Sequence, residues 1–299
     1  MTSMTLSSRR RWIQNAAGLL AVSVVPAGLT ACASAHSQAD DPEPWESRLT
    51  GRAVVLLGEH HDNPVHHRLR LATLERVVAA GWRPAVLMEQ FDTDRQSDID
   101  RARSERPLDA QHLIDGATPA RGGWNWTLYR PVVELALKAD LPLFAANLAR
   151  PSAQQLVRRS FDEVFGAERV RAFGLDAPIA ADWQAVQQEI IEASHCGALP
   201  ASVVSGMVRA QFARDAVMAE LVTRHADRGV VLLAGNGHVR RDLGVPRWLR
   251  GEVAARAWAV GYVEPGDEDS AGGAFDAIVV APAPPRDDPC KNFKPPKAS

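Results

Sequence analysis

Short, wholly apolar runs recur along the chain, each closed by glycine or polar residues. Four of them are Ala53-Val54-Val55-Leu56-Leu57, Pro84–Met88, Leu141–Ala146 and Gly229–Ala234. Strands buried on both faces read this way, without the alternation of a half-solvated sheet. Between the first two, Leu69, Leu71, Leu74, Val77 and Val78 recur at helical spacing, so roughly 64–80 is expected to be an amphipathic helix ended by Gly81. Strand, helix and strand joined by short connections make a βαβ unit and a parallel sheet. Asp92 to Arg106 is highly charged and reads as a solvated helix, and Pro131 to Ala139 as another. Residues 151–228 show no convincing strand but three helical patterns, 152–165, 182–194 and 201–226. Ala257–Tyr262 and Phe275–Val280 read as closing strands that could run antiparallel. The expected fold is α/β, a central largely parallel sheet flanked by helices with a smaller inserted all-helical sub-domain. Residues 51–150 and 229–281 form the α/β part, 151–228 the helical part and 282–299 an irregular tail.

The first residues change the picture from a plain globular chain to an exported one. Ser8-Arg9-Arg10-Arg11-Trp12-Ile13-Gln14 resembles a twin-arginine export signal, and an apolar stretch from Ala16 to Leu29 follows it. That stretch, broken by Gly18, Pro26 and Gly28, is too short to span a bilayer. Leu29-Thr30-Ala31-Cys32 looks like a lipoprotein processing box, with Cys32 as the acylated residue. Residues 1–31 are then a signal peptide and 32–50 a polar tether. The expected location is the cell envelope, lipid-anchored, with the outer membrane facing the periplasm preferred. Export permits disulfides, and the two remaining cysteines, Cys196 and Cys290, are expected to pair. A net charge of −2 with scattered basic residues gives no footprint for nucleic acid.

The candidate chemistry begins where the first strand ends. Gly58-Glu59-His60-His61-Asp62-Asn63-Pro64-Val65-His66-His67 holds four of the nine histidines. Imidazoles and carboxylates at a strand's carboxyl end suit a metal or cofactor site. The other strands deliver Glu89, Asn147 and His238 to the same edge, where open α/β sheets bind ligands. Gly58-Glu59-His60-His61 and Gly235-Asn236-Gly237-His238 repeat one Gly-x-x-His pattern after a buried strand. Arg121-Gly122-Gly123-Trp124-Asn125-Trp126-Thr127-Leu128-Tyr129 reads as a glycine-hinged aromatic loop offering flat apolar surface. Met207 and Met218, on an amphipathic helix, read as core.

Paired Gly-x-x-His motifs and an acidic residue after the second strand resemble the superfamily of Tiki and TraB proteins, erythromycin esterases and ChaN haem-binding lipoproteins. The ten residues from Gly58 to His67 are similar to the opening motif of ChaN. So are Ala145-Ala146-Asn147-Leu148-Ala149-Arg150, His195-Cys196-Gly197-Ala198-Leu199-Pro200 and Met207-Val208-Arg209-Ala210-Gln211 with Arg214-Asp215-Ala216. The resemblance implies a haem-binding lipoprotein of iron uptake, an α/β domain with a smaller helical one, and haems paired across a homodimer. Carried onto this chain, its site comprises Glu59, His60, His61, His66, His67, Glu89, Asn147, Arg209 and His238. It also implies a tyrosine on the iron, with Tyr129 preferred to Tyr262, and Arg209 pairing propionates. No CxxCH is present, so the haem would be non-covalent.

Two readings follow. The first is a haem-binding protein rather than an enzyme. The alternative is a metal-dependent hydrolase in which His61, His238, Glu59 and Glu89 hold zinc or manganese, with Glu59 or Glu89 as general base. No HExxH helix and no Gly-x-Ser-x-Gly elbow supports that alternative.

Overall fold

The computed structural model describes Leu49 and residues 54–118, 123–267 and 272–291. The signal segment, Cys32, most of the tether, Arg121-Gly122 and the end of the tail lie outside the described residues. Six strands form one sheet, β1 Val54–Leu57, β2 Ala85–Asp92, β3 Leu143–Asn147, β4 Val230–Leu233, β5 Ala257–Val263 and β6 Ala277–Val280. Their order is β3-β2-β4-β1-β5-β6 and every pairing is parallel. β4 enters between β1 and β2, so the two strands of the first βαβ unit are not neighbours. Leu233 of β4 stands level with Leu57 of β1 and with Met88 of β2. Three polar turns are thereby brought side by side across roughly 10 Å, two strand spacings.

The closing strands are parallel, not antiparallel. Asp276 explains the direction of β6. Its carboxylate accepts from Ala259 N at 2.7 Å and from Arg241 Nε at 2.7 Å, while its own N–H donates to Ala259 O at 2.8 Å. The incoming chain is pinned beside Ala259 near the start of β5, and from there β6 runs along it in parallel.

Helices cover both sheet faces. They are α1 Pro64–Ala79, α2 Gln96–Glu105, α3 Ala110–Ala117 and α4 Trp126–Lys138, then α5 Arg150–Leu156, α6 Phe161–Phe165, α7 Ala167–Ala172, α8 Ala181–Ser194 and α9 Ala201–His225, and finally α10 Asn236–Val239 and α11 Gly251–Ala255. No described helix is long and apolar enough to cross a membrane. One face packs Val55, Leu57, Val86, Met88, Val231 and Leu233 against Leu74, Val77, Tyr129 and Val133 from α1 and α4. The other packs Val54, Leu56, Ala85, Leu87, Val230 and Leu232 against Met218, Ala219 and Val222 of α9. At about 1.5–3 kcal/mol for each large apolar side chain buried, these two layers dominate the stability.

Several elements differ from the sequence expectation in instructive ways. α1 begins as expected, with Pro64 in its first turn and Asn63 capping the N–H groups of Val65 and His66. Its buried stripe keeps the expected Leu74, Val77 and Val78 but begins with His66, His67, Arg70 and Thr73, while Leu69 is 36% exposed. The first two turns of α1 serve a polar site rather than the core. α4 starts one turn before Pro131, because Asn125 caps it and Trp126 packs on Phe91 with ring centroids 5.0 Å apart. Tyr129 is therefore helical, not a loop residue. The first of the three expected helices after β3, 152–165, is divided into α5 and capping-box helix α6, and α7 follows beyond it. Cys196, in the α8–α9 turn, is disulfide-bonded to Cys290 in the tail.

On the outer edge, the side chain of Gln96 stands in for a missing strand beside β3. Its Oε1 accepts from Ala145 N at 2.8 Å and its Nε2 donates to Leu143 O at 3.2 Å.

Candidate functional site

Beyond the carboxyl ends of β1, β4 and β2 the polar residues form one connected cluster with two halves. The α1 half is built on Glu59, which is 2% exposed. Its carboxylate forms an ion pair with the fully buried Arg70. It also accepts from Tyr129 Oη at 2.7 Å and stands 2.9 Å from His61 Nδ1 and 3.3 Å from His67 Nδ1. Burial alone would raise the Glu59 pKa. Arg70, His61 and His67 together outweigh it and hold the carboxyl below the usual range.

The α9 half is built on His238, at the second Gly-x-x-His. His238 Nδ1 lies 2.5 Å from Asp215 and its Nε2 3.4 Å from Glu89 Oε1. Gln211, one turn before Asp215, adds an amide contact at 3.2 Å. Burial works against charging the imidazole, yet the two carboxylates push its pKa up to about 10. Glu89 is carried the other way: burial raises it, but His238, joined by His61 and the Gly235 N–H, draws it down to about 2. Asp215 is pushed up to about 6, chiefly by burial. Gly235 N donates to Glu89 Oε2 at 2.8 Å.

His61 joins the halves. Its Nδ1 is on Glu59, its Nε2 is 4.0 Å from Glu89, and Trp124 meets the ring edge-on at 4.9 Å. With 45% of its side chain exposed, against 7% or less for Glu59, Glu89 and His67, it is the member of the cluster that solvent reaches. Its pKa is raised, burial being outweighed by Glu59 and Glu89.

The remaining sequence candidates fall in other places. His66 and His67 are buried and structural. His66 accepts from His60 N at 3.1 Å and is drawn down to about 4, first by burial and then by His60. His67 lies 3.0 Å from the carbonyl of His61, which places that residue. His60 faces away, 3.7 Å from Glu264 and 3.6 Å from Asp267. Asn147 donates to Asp92 at 3.0 Å and lines a separate cavity.

Neither tyrosine can meet an iron in this conformation. Tyr129 is fully buried with its hydroxyl on Glu59, and burial followed by the Glu59 charge drives its pKa far up. Tyr262 is 1% exposed with its hydroxyl 2.9 Å from Thr73 Oγ1. Arg209 is also remote. It sits two residues, about 200° of helix, from Gln211, and its Nε donates to Leu156 O at 2.9 Å. Arg150 and Arg214 are the cations beside the cluster, lining both the cavity at Trp124 and a groove between α5, α8 and α9.

The four proposed metal ligands are committed to one another and to Arg70, Tyr129 and Asp215. Among the described residues, only His60, Glu264 and Asp267 bring three donor atoms within 4.8 Å, and Glu264 already accepts from Asn63 and Arg286. The geometry thus gives zinc or manganese no ready ligand set at His61 and His238.

Sequence reasoning missed Arg70, Asp215 and Gln211 as members of the cluster. Asp215 carried a signal: a lone carboxylate in the apolar run Phe212-Ala213-Arg214-Asp215-Ala216-Val217-Met218-Ala219.

The profile of the family described as haem-binding uptake, Tiki superfamily, ChaN matches residues 45–249, more than half the chain. This chain belongs to that ChaN family. The solved structure of cofacial haem binding to ChaN of Campylobacter jejuni has the same fold, with a TM-score of 0.57 at 19% identity over 73% of this chain and 84% of that one. An erythromycin esterase in its open conformation matches at a TM-score of 0.43 and 13% identity, covering 73% of this chain and 72% of that one. No curated protein matches the chain. Within the ChaN frame, the paired Gly-x-x-His turns are the two loops that β4, by inserting beside β1, brings face to face.

Proposed function

We propose that this protein binds haem non-covalently, with His61 as the protein ligand to iron. Membership of the ChaN family supports haem, and one observation supports His61: a half-exposed imidazole whose Nδ1 is pinned to a buried carboxylate. Metal-ligating histidines are oriented by this kind of partner, and histidine is an accepted haem ligand. The neighbouring groove, 380 Å³ and lined by Ala153, Val157, Ile191, Met207 and Ala210, supplies apolar surface of ligand-site size. A larger groove of 550 Å³ lies along β3, but Arg224 is spent there on Glu220 and Arg169 on the face of Phe173.

With the export signal and Cys32, the reading extends to a lipid-anchored envelope protein that takes part in haem uptake, with a second copy covering the outer haem face. The test is a ferric-haem titration of the soluble chain from Ala33. A saturable Soret shift lost in His61→Ala and kept in Tyr129→Phe supports the assignment. Loss in Tyr129→Phe alone would return the ligand to tyrosine.

A second reading rests on the same pair. Glu59 orienting Nδ1 of an accessible histidine is also the arrangement of a general base, here for hydrolysis of an ester or peptide. Turnover of an activated ester that survives chelation and disappears in His61→Ala would favour it.

A further inference from the structure

Beside the cluster lies a cavity of 180 Å³, beyond the ends of β2 and β3 and bordered by Trp124. Its polar lining is Gln90, Asp92, Thr118, Asn147, Arg150 and Arg214, the Thr118 hydroxyl donating back to Ile114 O. Neither guanidinium has a hydrogen bond or ion pair among the described residues. Asp92 is turned to its own side, accepting from Asn147 Nδ2 at 3.0 Å and from the backbone N–H of Arg150 at 3.3 Å. The cavity therefore keeps an excess of positive charge even with Asp92 ionised.

A second observation is independent of the charges. Gln90, the residue after Glu89, is 3% exposed, and neither atom of its side-chain amide has a partner. Buried amides are almost always paired, so an orphan on a cavity wall marks a place where something outside the chain does the pairing. Two arginines without a hydrogen-bonded partner and an unpaired amide together match an oxyanion, and the planar fork of arginine suits a carboxylate best. Arg214 is close enough to Asp92 and Asp215 to act on both through its charge.

We propose that this cavity is a carboxylate-binding site, with Arg150 and Arg214 taking the charge and Gln90 Nε2 supplying a further donor. At about 30 Å³ per water, its volume holds roughly six waters. It accepts a short acid or one carboxylate arm of a larger ligand, and it excludes a porphyrin ring. The two arginines also line the apolar groove. A ligand with a flat apolar body and a carboxylate arm would thus lie across both. The site itself stands without the haem reading.

The experiment has two arms on the soluble chain. In the first, malonate and its neutral diamide are titrated calorimetrically against the wild type, Arg150→Gln, Arg214→Gln and Gln90→Glu. Saturable malonate binding is expected, with no diamide binding and at least tenfold weakening in each arginine variant. Gln90→Glu keeps the shape but adds a negative charge and should abolish binding. In the second arm, ferric haem is compared with haem esterified at both propionates. If the carboxylate is a propionate, esterification weakens binding at least tenfold in the wild type and has little effect in Arg214→Gln.

Malonate binding with no haem binding would leave this site standing and remove the haem assignment. Equal binding of haem and its ester, with no saturable malonate signal, would overturn the carboxylate site and leave haem binding intact.

Discussion

Asp215, in the middle of α9, reaches His238 Nδ1 at 2.5 Å and fixes it beneath the turn that follows β4. With Glu89 on its other nitrogen, the imidazolium is the positive charge shared by two buried carboxylates. His238→Gln removes the cation that both share, leaving only the more distant His61 and Arg214, and is expected to cost about 3–5 kcal/mol at pH 7, read by urea denaturation. The loss should shrink at pH 5, where Asp215, pushed up to about 6, takes a proton.

The same pair sets an alkaline limit. A histidine raised from 6.5 to about 10 contributes stability fully present below pH 6.5 and lost as pH rises through 10. Wild-type melting temperature should therefore fall across that interval more steeply than that of His238→Gln. Parallel curves for the two proteins would contradict the assignment of the charge to His238.

Tyr129→Phe removes a buried hydroxyl that donates to a carboxylate, a bond worth about 1.5–3 kcal/mol. Stability should drop by that amount while haem affinity changes less than twofold. Chemical denaturation and Soret titration of one preparation separate the two effects.

Gly235 tests the placement of His61. A Cβ there would stand 2.8 Å from His61 Cε1 and 3.0 Å from its Nε2. Because that ring is half exposed, Gly235→Ala should swing it toward solvent and off Glu59. Haem affinity is expected to fall tenfold or more with a melting temperature within about 3 °C of wild type, the shift from about 1 kcal/mol. An unchanged affinity would argue against His61 as the ligand.

The Cys196–Cys290 bond closes a long loop, its ends 94 residues apart. Removing it by Cys290→Ser should cost about 2–4 kcal/mol. For a chain of this size that is roughly 5–15 °C in melting temperature, measurable by circular dichroism under oxidising conditions.

The four apolar strands and both Gly-x-x-His turns were legible because each is local: a short apolar run, then a polar residue or a glycine. Which strands become neighbours is not local, so the meeting of His61 with Glu89 and His238 rested on an analogy with open sheets. Helix faces were harder. α9 carries Val208, Phe212, Ala213, Ala216 and Val217 on several sides, and only contact with the sheet selects the stripe of Asp215, Met218, Ala219 and Val222. That selection also turns Arg209 away and Arg214 inward. In α1 the second half of the expected stripe, Leu74, Val77 and Val78, is core, whereas the first half is replaced by His66, His67 and Arg70, which the leucine spacing did not signal. Tyr129 was misread because Pro131 signalled a helix start that Asn125 provides one turn earlier.

The Gln96 amide bonded along β3 carries a consequence for assembly. An edge strand ordinarily offers its unpaired main chain as a template for another copy. Here the two groups at the centre of that edge are already capped, so β3 is closed to strand addition. Copies that associate must do so through side-chain surfaces or through β6, and runaway growth of one continuous sheet from both edges is blocked at its first step.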